Sequence, residues 1–166
     1  YKWNIEAMIS DDSAVDGDLD RIAERAEEYN RTYSGKLAES AAGLLKAHKD
    51  RDAIWMDLER IFVYARMRRD ENNADQAMTS RCGAVIAKVS AAMAFFTPEL
   101  LASPEETILG YIDQEPGLKE YEFAIRDTLR QKAHVLSEAE ENILAQMSEV
   151  TGATNDIFTM LNNADI

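Results

Sequence analysis

The stretch Cys82-Gly83-Ala84-Val85-Ile86-Ala87-Lys88-Val89-Ser90-Ala91-Ala92-Met93-Ala94-Phe95-Phe96 carries one charge, Lys88. Its apolar residues do not alternate; they recur at steps of three and four, which is the signature of a helix. Val85, Ile86, Val89, Ala92, Met93 and Phe96 leave almost no polar side. A helix apolar nearly all round is buried on most sides, so the segment from about Ala74 to Phe96 is expected to be the central helix. Cys82 lies in register with Val85, Ile86 and Val89 and reads as a small buried apolar residue. A reactive thiol would need a histidine and an electropositive setting, and neither is evident. As the only cysteine, it rules out an intrachain disulfide.

The same period extends in both directions. Towards the N-terminus, residues 1–11 read as an extended lead-in anchored by Trp3 and Ile5. A first helix runs from Asp12 or Ser13 to Tyr33, with Leu19, Ile22, Ala26, Tyr29 and Tyr33 as its stripe, and Gly35 ends it. A second segment starts near Glu39 or Ser40 and carries Leu44, Leu45 and Ala47. The charged run Lys49-Asp50-Arg51-Asp52 is expected to break it. A further helix then places Ile54, Leu58, Ile61, Phe62 and Ala65 on one face and fades at Asp70-Glu71-Asn72-Asn73.

Towards the C-terminus, Thr97-Pro98 marks a restart with threonine as cap and proline at the first helical position. Ser103-Pro104-Glu105-Glu106 repeats the device as a capping box. Glu115-Pro116-Gly117 is a turn, and a helix from Leu118 to about Gln131 buries Leu118, Tyr121, Ile125 and Leu129. Ser137-Glu138-Ala139-Glu140 opens a helix with Ile143, Leu144, Met147 and Val150, closed by Gly152. A last helix carries Ile157, Phe158 and Leu161. No period-2 pattern and no low-complexity linker interrupts this, so the expectation is one all-α domain over 1–166, a bundle of about six to eight helices.

Composition agrees. Of 166 residues, 46 % are hydrophobic, 30 % are charged, and only 3 are proline, which suits long helices with a solvated surface. The net charge of −13 opposes nucleic acid and anionic membranes, since both need a basic surface to displace counterions. No unbroken run of about 18 apolar residues suggests a membrane span. The chain opens Tyr1-Lys2-Trp3 without an initiator methionine or a leader. Both termini are expected to be cuts from a longer protein.

The residues hold little chemistry. Zinc hydrolysis on a helix needs H-E-x-x-H, two imidazoles one turn apart with a carboxylate base between them. Here His48 and His134 are far apart. His48 can face Asp52 one turn on, and reads as an exposed polar pair. His134, before the capping box at Ser137, reads as a loop residue; the functional alternative is a substrate or interface contact. A carboxylate-bridged di-metal bundle would need Glu-x-x-His pairs, but Leu45 and Gln131 stand three positions before the histidines. Asp12 to Ala23 fails as a calcium loop, because Ala14 and Ala23 occupy positions that need oxygen ligands. Its carboxylates suit a helix N-terminus instead. Asn30-Arg31-Thr32 fits a glycosylation sequon, a pattern common by chance. Arg66, Arg68 and Arg69 form a basic cluster that a helix C-terminus explains; the other reading is a grip on a peptide carboxylate. No phosphate-binding glycine loop and no nucleophile elbow is present.

Several phrases in order carry a resemblance. They are Lys2-Trp3-Asn4-Ile5; Phe62-Val63-Tyr64-Ala65 with Arg69-Asp70-Glu71; and Phe95-Phe96-Thr97-Pro98-Glu99-Leu100-Leu101. Then come Arg130-Gln131-Lys132-Ala133-His134-Val135-Leu136-Ser137 with Glu140-Glu141, and Ile157-Phe158-Thr159 with Asn162-Asn163-Ala164-Asp165. Their order and spacing resemble the N-terminal region of oligoendopeptidase F, a zinc metallopeptidase of the thimet-oligopeptidase group, over nearly the whole chain. The resemblance implies a mostly helical cytoplasmic enzyme that cleaves short peptides in a deep channel, with these helices in the channel wall. It implies zinc for the full-length parent, held where no position of this chain matches. No catalytic, metal or cofactor residue is therefore assigned here. The expected partners are the catalytic domain of the same polypeptide and, for the parent, short peptides. The competing reading is a standalone acidic helical module that binds a partner helix in an apolar groove.

Overall fold

The computed structural model describes residues 4–72 and 76–134. Among these, six α-helices and three short 3-10 turns follow one another without a strand. The helices are α1 (Ser13–Tyr33), α2 (Ala41–Glu71), α3 (Ala77–Met93), α4 (Phe96–Ala102), α5 (Glu105–Gln114) and α6 (Glu122–Gln131). The all-α expectation holds. The chain divides into two compact units, Tyr1–Leu129 and Arg130–Ile166. The first unit carries the architecture that follows. The helices expected around Ser137–Val150 and Ile157–Leu161 lie outside the described residues, as does Trp3.

α1 keeps its boundaries for local reasons. At its start, the Asp11 carboxylate accepts the Ser13 N–H at 2.9 Å and its hydroxyl at 2.7 Å. At its end, Gly35 has φ +78, a left-handed conformation that costs a side-chain-bearing residue more. The stripe from Leu19 through Ile22, Ala26 and Tyr29 to Tyr33 is buried. Ile5 of the lead-in, in the turn Ile5–Ala7 rather than an extended strand, is buried as well.

Two expectations need correction. First, Lys49-Asp50-Arg51-Asp52 does not break a helix: α2 runs unbroken from Ala41 to Glu71. No proline or glycine falls in the run, and Asp50, Arg51 and Asp52 find partners. Tyr33 donates its hydroxyl to Asp50 at 2.5 Å, and the Lys46 ammonium reaches Asp50 at 2.6 Å and the Tyr33 hydroxyl at 2.9 Å. The Arg51 guanidinium lies 4.2 Å over the Phe96 ring. Ser40 caps this long helix, its hydroxyl accepting the Gly43 N–H at 3.1 Å.

Second, α3 is not the central helix. α2 holds that place, packing on α1, α3, α5 and the turn Pro116–Tyr121. α3 buries only Cys82, Val85, Val89 and Met93, where it meets α1 and α2. Its other apolar residues are mostly alanines facing outward. An 18-residue window within residues 77–102 reaches a mean hydropathy of 1.5, enough by length and composition to cross a membrane. A search for unbroken apolar runs misses this. In this fold the helix is interrupted before Phe96, and its larger apolar side chains serve the bundle. Asn30 of the sequon is occupied too, its amide donating to the Ala92 carbonyl at 2.7 Å.

The later elements depart in detail. α4 begins at Phe96, so Thr97 and Pro98 sit inside its first turn and Thr97 is not the cap. The Ser103 hydroxyl donates back to the Glu99 carbonyl at 2.8 Å, and Pro104 takes the N-cap position of α5 without a side-chain cap bond. Pro116–Tyr121 forms a 3-10 turn before α6. At Gly117 a methyl group would come 2.5 Å from Leu45 Cδ2, so this turn approaches α2 closely. Leu118, Ile125 and Leu129 are buried as expected.

Candidate functional site

The stripe of α2 predicts a core position at every third or fourth residue. Leu44, Ala47, Ile54, Leu58, Ile61 and Ala65 fill it, and between Ala47 and Ile54 the same face carries His48 and Arg51. Polar residues at core positions are where function or strain is sought first.

His48 is 2 % exposed, which corrects its reading as an exposed pair with Asp52. Its ring stacks on Tyr121 at 4.4 Å and meets Phe96 edge-on at 4.9 Å. Neither ring nitrogen finds a hydrogen-bond partner among the described residues. Burial, reinforced by the Arg51 charge, lowers its pKa to about 4. At neutral pH it is an uncharged aromatic packing group. Tyr121 donates to Asp52, and burial with that bond pushes its phenol up to about 12.

Arg51 and Asp52, 3.8 Å apart, open the polar end of a groove along the α2–α3 seam. That end is a cavity of 520 Å³, with Trp55, Met93 and Phe96 among its walls. Trp55 also borders the next cavity, of 380 Å³, lined by Leu58, Glu59, Phe62 and Ile86. The groove therefore runs from a charged mouth to an apolar trough. On the opposite seam, α1 and α2 enclose 360 Å³ around Tyr33, Lys46 and Asp50. Tyr29 lies there with its hydroxyl buried and without a partner, and burial raises its pKa.

None of these places combines a nucleophile with a base. Cys82 is fully buried and burial raises its thiol pKa, as its sequence register implies. Among the described residues no three metal-binding side chains cluster, and the buried, stacked ring of His48 cannot turn towards a metal. A zinc centre does not fit these residues, and no catalytic step is derived through one. The basic cluster is absorbed by the fold. Arg68 meets Glu71, Asp12 and Glu6 at 3.1, 3.3 and 3.5 Å and the Tyr64 hydroxyl at 3.0 Å. Arg66 stacks over Phe62, and Arg69 reaches Asp70 at 3.3 Å. His134 closes the turn Lys132–His134, and its side chain lies outside the described residues.

The described residues form a helical bundle with a surface groove, and known proteins share this sequence and fold. A family model described as Oligopeptidase F matches residues 99–166. Oligopeptidase PepF of Bacillus subtilis is 34 % identical over 99 % of this chain, which covers 25 % of that protein. Group B oligopeptidase PepB of Streptococcus agalactiae is 29 % identical over all of the chain, which covers 28 % of it. The crystal structure of oligoendopeptidase-F from Enterococcus faecium superposes with a TM-score of 0.73 at 31 % identity, covering 93 % of this chain and 30 % of that one. The chain belongs to the oligoendopeptidase F family and corresponds to its N-terminal region. It spans about a quarter of the length of these curated relatives.

Proposed function

We propose that this chain is the channel-wall domain of a zinc-dependent oligoendopeptidase that hydrolyses short peptides in the cytoplasm. The hydrolytic centre belongs to the remainder of the polypeptide. In such an enzyme the metal lowers the pKa of a bound water and polarises the scissile carbonyl. These helices supply none of that and serve to enclose and position. The observation that carries the reading is the match of almost the entire chain to peptidases about four times as long. The polar mouth at Arg51 and Asp52 and the buried, neutral His48 suit a wall rather than a reactive centre.

The test uses the full-length polypeptide that contains this chain and an internally quenched oligopeptide. Cleavage is expected, abolished by a chelator and restored by zinc, with a folded protein left uncut. Cleavage indifferent to the chelator, or none at all, would remove the reading.

A further inference from the structure

α3 presents a surface that the packing of the described residues does not account for. An 18-residue window within residues 77–102 reaches a mean hydropathy of 1.5, yet only 28 % of that window is buried. From Ser80 to Ala94 the exposed residues are Gly83, Ala84, Ala87, Ala91 and Ala94, together with Ser80, Arg81, Lys88 and Ser90; the small apolar ones occupy neighbouring rows of the helix. The two charges of α3 line one edge of this face, with Lys88 one turn from both Ala84 and Ala91. Arg81 reaches Asp16 of α1 at 2.5 Å, and Lys88 follows two turns on, on the same side.

Gly83 sharpens the point. A methyl group added there would meet nothing within 4 Å, so nothing among the described residues requires the glycine. In a helix interior glycine destabilises relative to alanine. Small residues on a helix surface let a second helix approach closely. Beside this face runs the apolar trough of the α2–α3 groove. Beyond the trough, α2 exposes Met56 to 70 % and Val63 to 40 %.

We propose that this face of α3, with the adjoining trough, is where the remainder of the parent polypeptide packs. The contact would be an uncharged helix laid along Gly83 and Ala87, with bulky apolar side chains entering between Trp55 and Phe62. The proposal rests on reading the chain as one domain of a longer peptidase. Relatives hold roughly three times as much chain again outside the matched quarter, and covalent attachment gives such a segment a high effective concentration. A second copy would instead bring another net charge of −13, and like charges repel. An anionic membrane is disfavoured for the same reason.

The test is cysteine alkylation in the full-length polypeptide, read by peptide mapping. Ala87→Cys probes the face and Glu24→Cys, on the solvent side of α1, is the control. Ala91→Cys, one turn further on, replaces Ala87→Cys if that variant does not fold. The cysteine on α3 is expected to react at least about tenfold more slowly than the control, at every protein concentration, because its exposure waits on the two parts opening. Equal rates would overturn the proposal. Protection that disappears on dilution would hand the face to a second copy, and protection only in the presence of anionic vesicles would hand it to a membrane. Peptide cleavage by the same preparations reports the parent reading separately. Cleavage with a freely reactive cysteine at 87 keeps the peptidase and removes this interface; a protected cysteine without cleavage does the reverse.

Discussion

Replacing His48 with leucine should make this bundle less sensitive to acid. The imidazole is 2 % exposed, without a hydrogen-bond partner among the described residues, and its pKa falls from 6.5 to about 4 in the folded chain. Between those values the unfolded state binds the extra proton, so stability rises with pH across the window. It is fully present above about pH 6.5 and lost as pH falls towards 4. By linkage the loss at about pH 4.5 is on the order of 2–3 kcal/mol. The carboxylates held low by their partners, Asp11, Glu28, Asp50 and Glu122, also cost stability as they protonate. They are common to both proteins and cancel in the difference. Urea unfolding of the 166-residue chain and of His48→Leu, followed by far-UV circular dichroism near neutral pH and at about pH 4.5, supplies the comparison. The variant is expected to match or exceed the parent at neutral pH, because two unpaired ring nitrogens are removed at a gain of about 1–3 kcal/mol. Its stability should fall less in acid. Equal losses in the two proteins, or a His48 titration near 6.5 by NMR, would refute the reasoning.

Other outcomes follow from packing. Leu58→Ala, at a position 1 % exposed under the groove, should destabilise by about 2–5 kcal/mol in chemical denaturation, whereas Met56→Ala, 70 % exposed, should change little in the isolated chain. Ser40→Ala removes the hydroxyl that caps α2 and should cost about 1 kcal/mol in the same measurement. The Cys82 thiol, buried and with its pKa raised, should react with a disulfide reagent only as fast as the fold opens. Immediate reaction in the native protein would contradict its burial.

Where local sequence decides, the structure was legible. Asp11 and Ser13 start α1, Gly35 stops it, and the stripe from Leu19 to Tyr33 is buried as its spacing implies. Readings that depend on distant partners failed. The run Lys49–Asp52 looks like a break until Tyr33 and Phe96 are beside it. His48 looks exposed until Tyr121 is stacked on its ring. α3 looks central because hydropathy gives alanine the same sign whether it packs inside or faces out, and α2, masked by its charges, holds the middle. The groove could not be read at all, because Trp55, Phe62 and Ile86 meet only through helix packing. The family resemblance survived because it rests on ordered phrases and not on periodicity.

The most direct measurement is equilibrium dialysis of the purified 166-residue chain against zinc, paired with an oligopeptide cleavage assay on the same sample. The account predicts no stoichiometric zinc and intact peptide. One tightly held zinc per chain, with cleavage that a chelator stops, would contradict it.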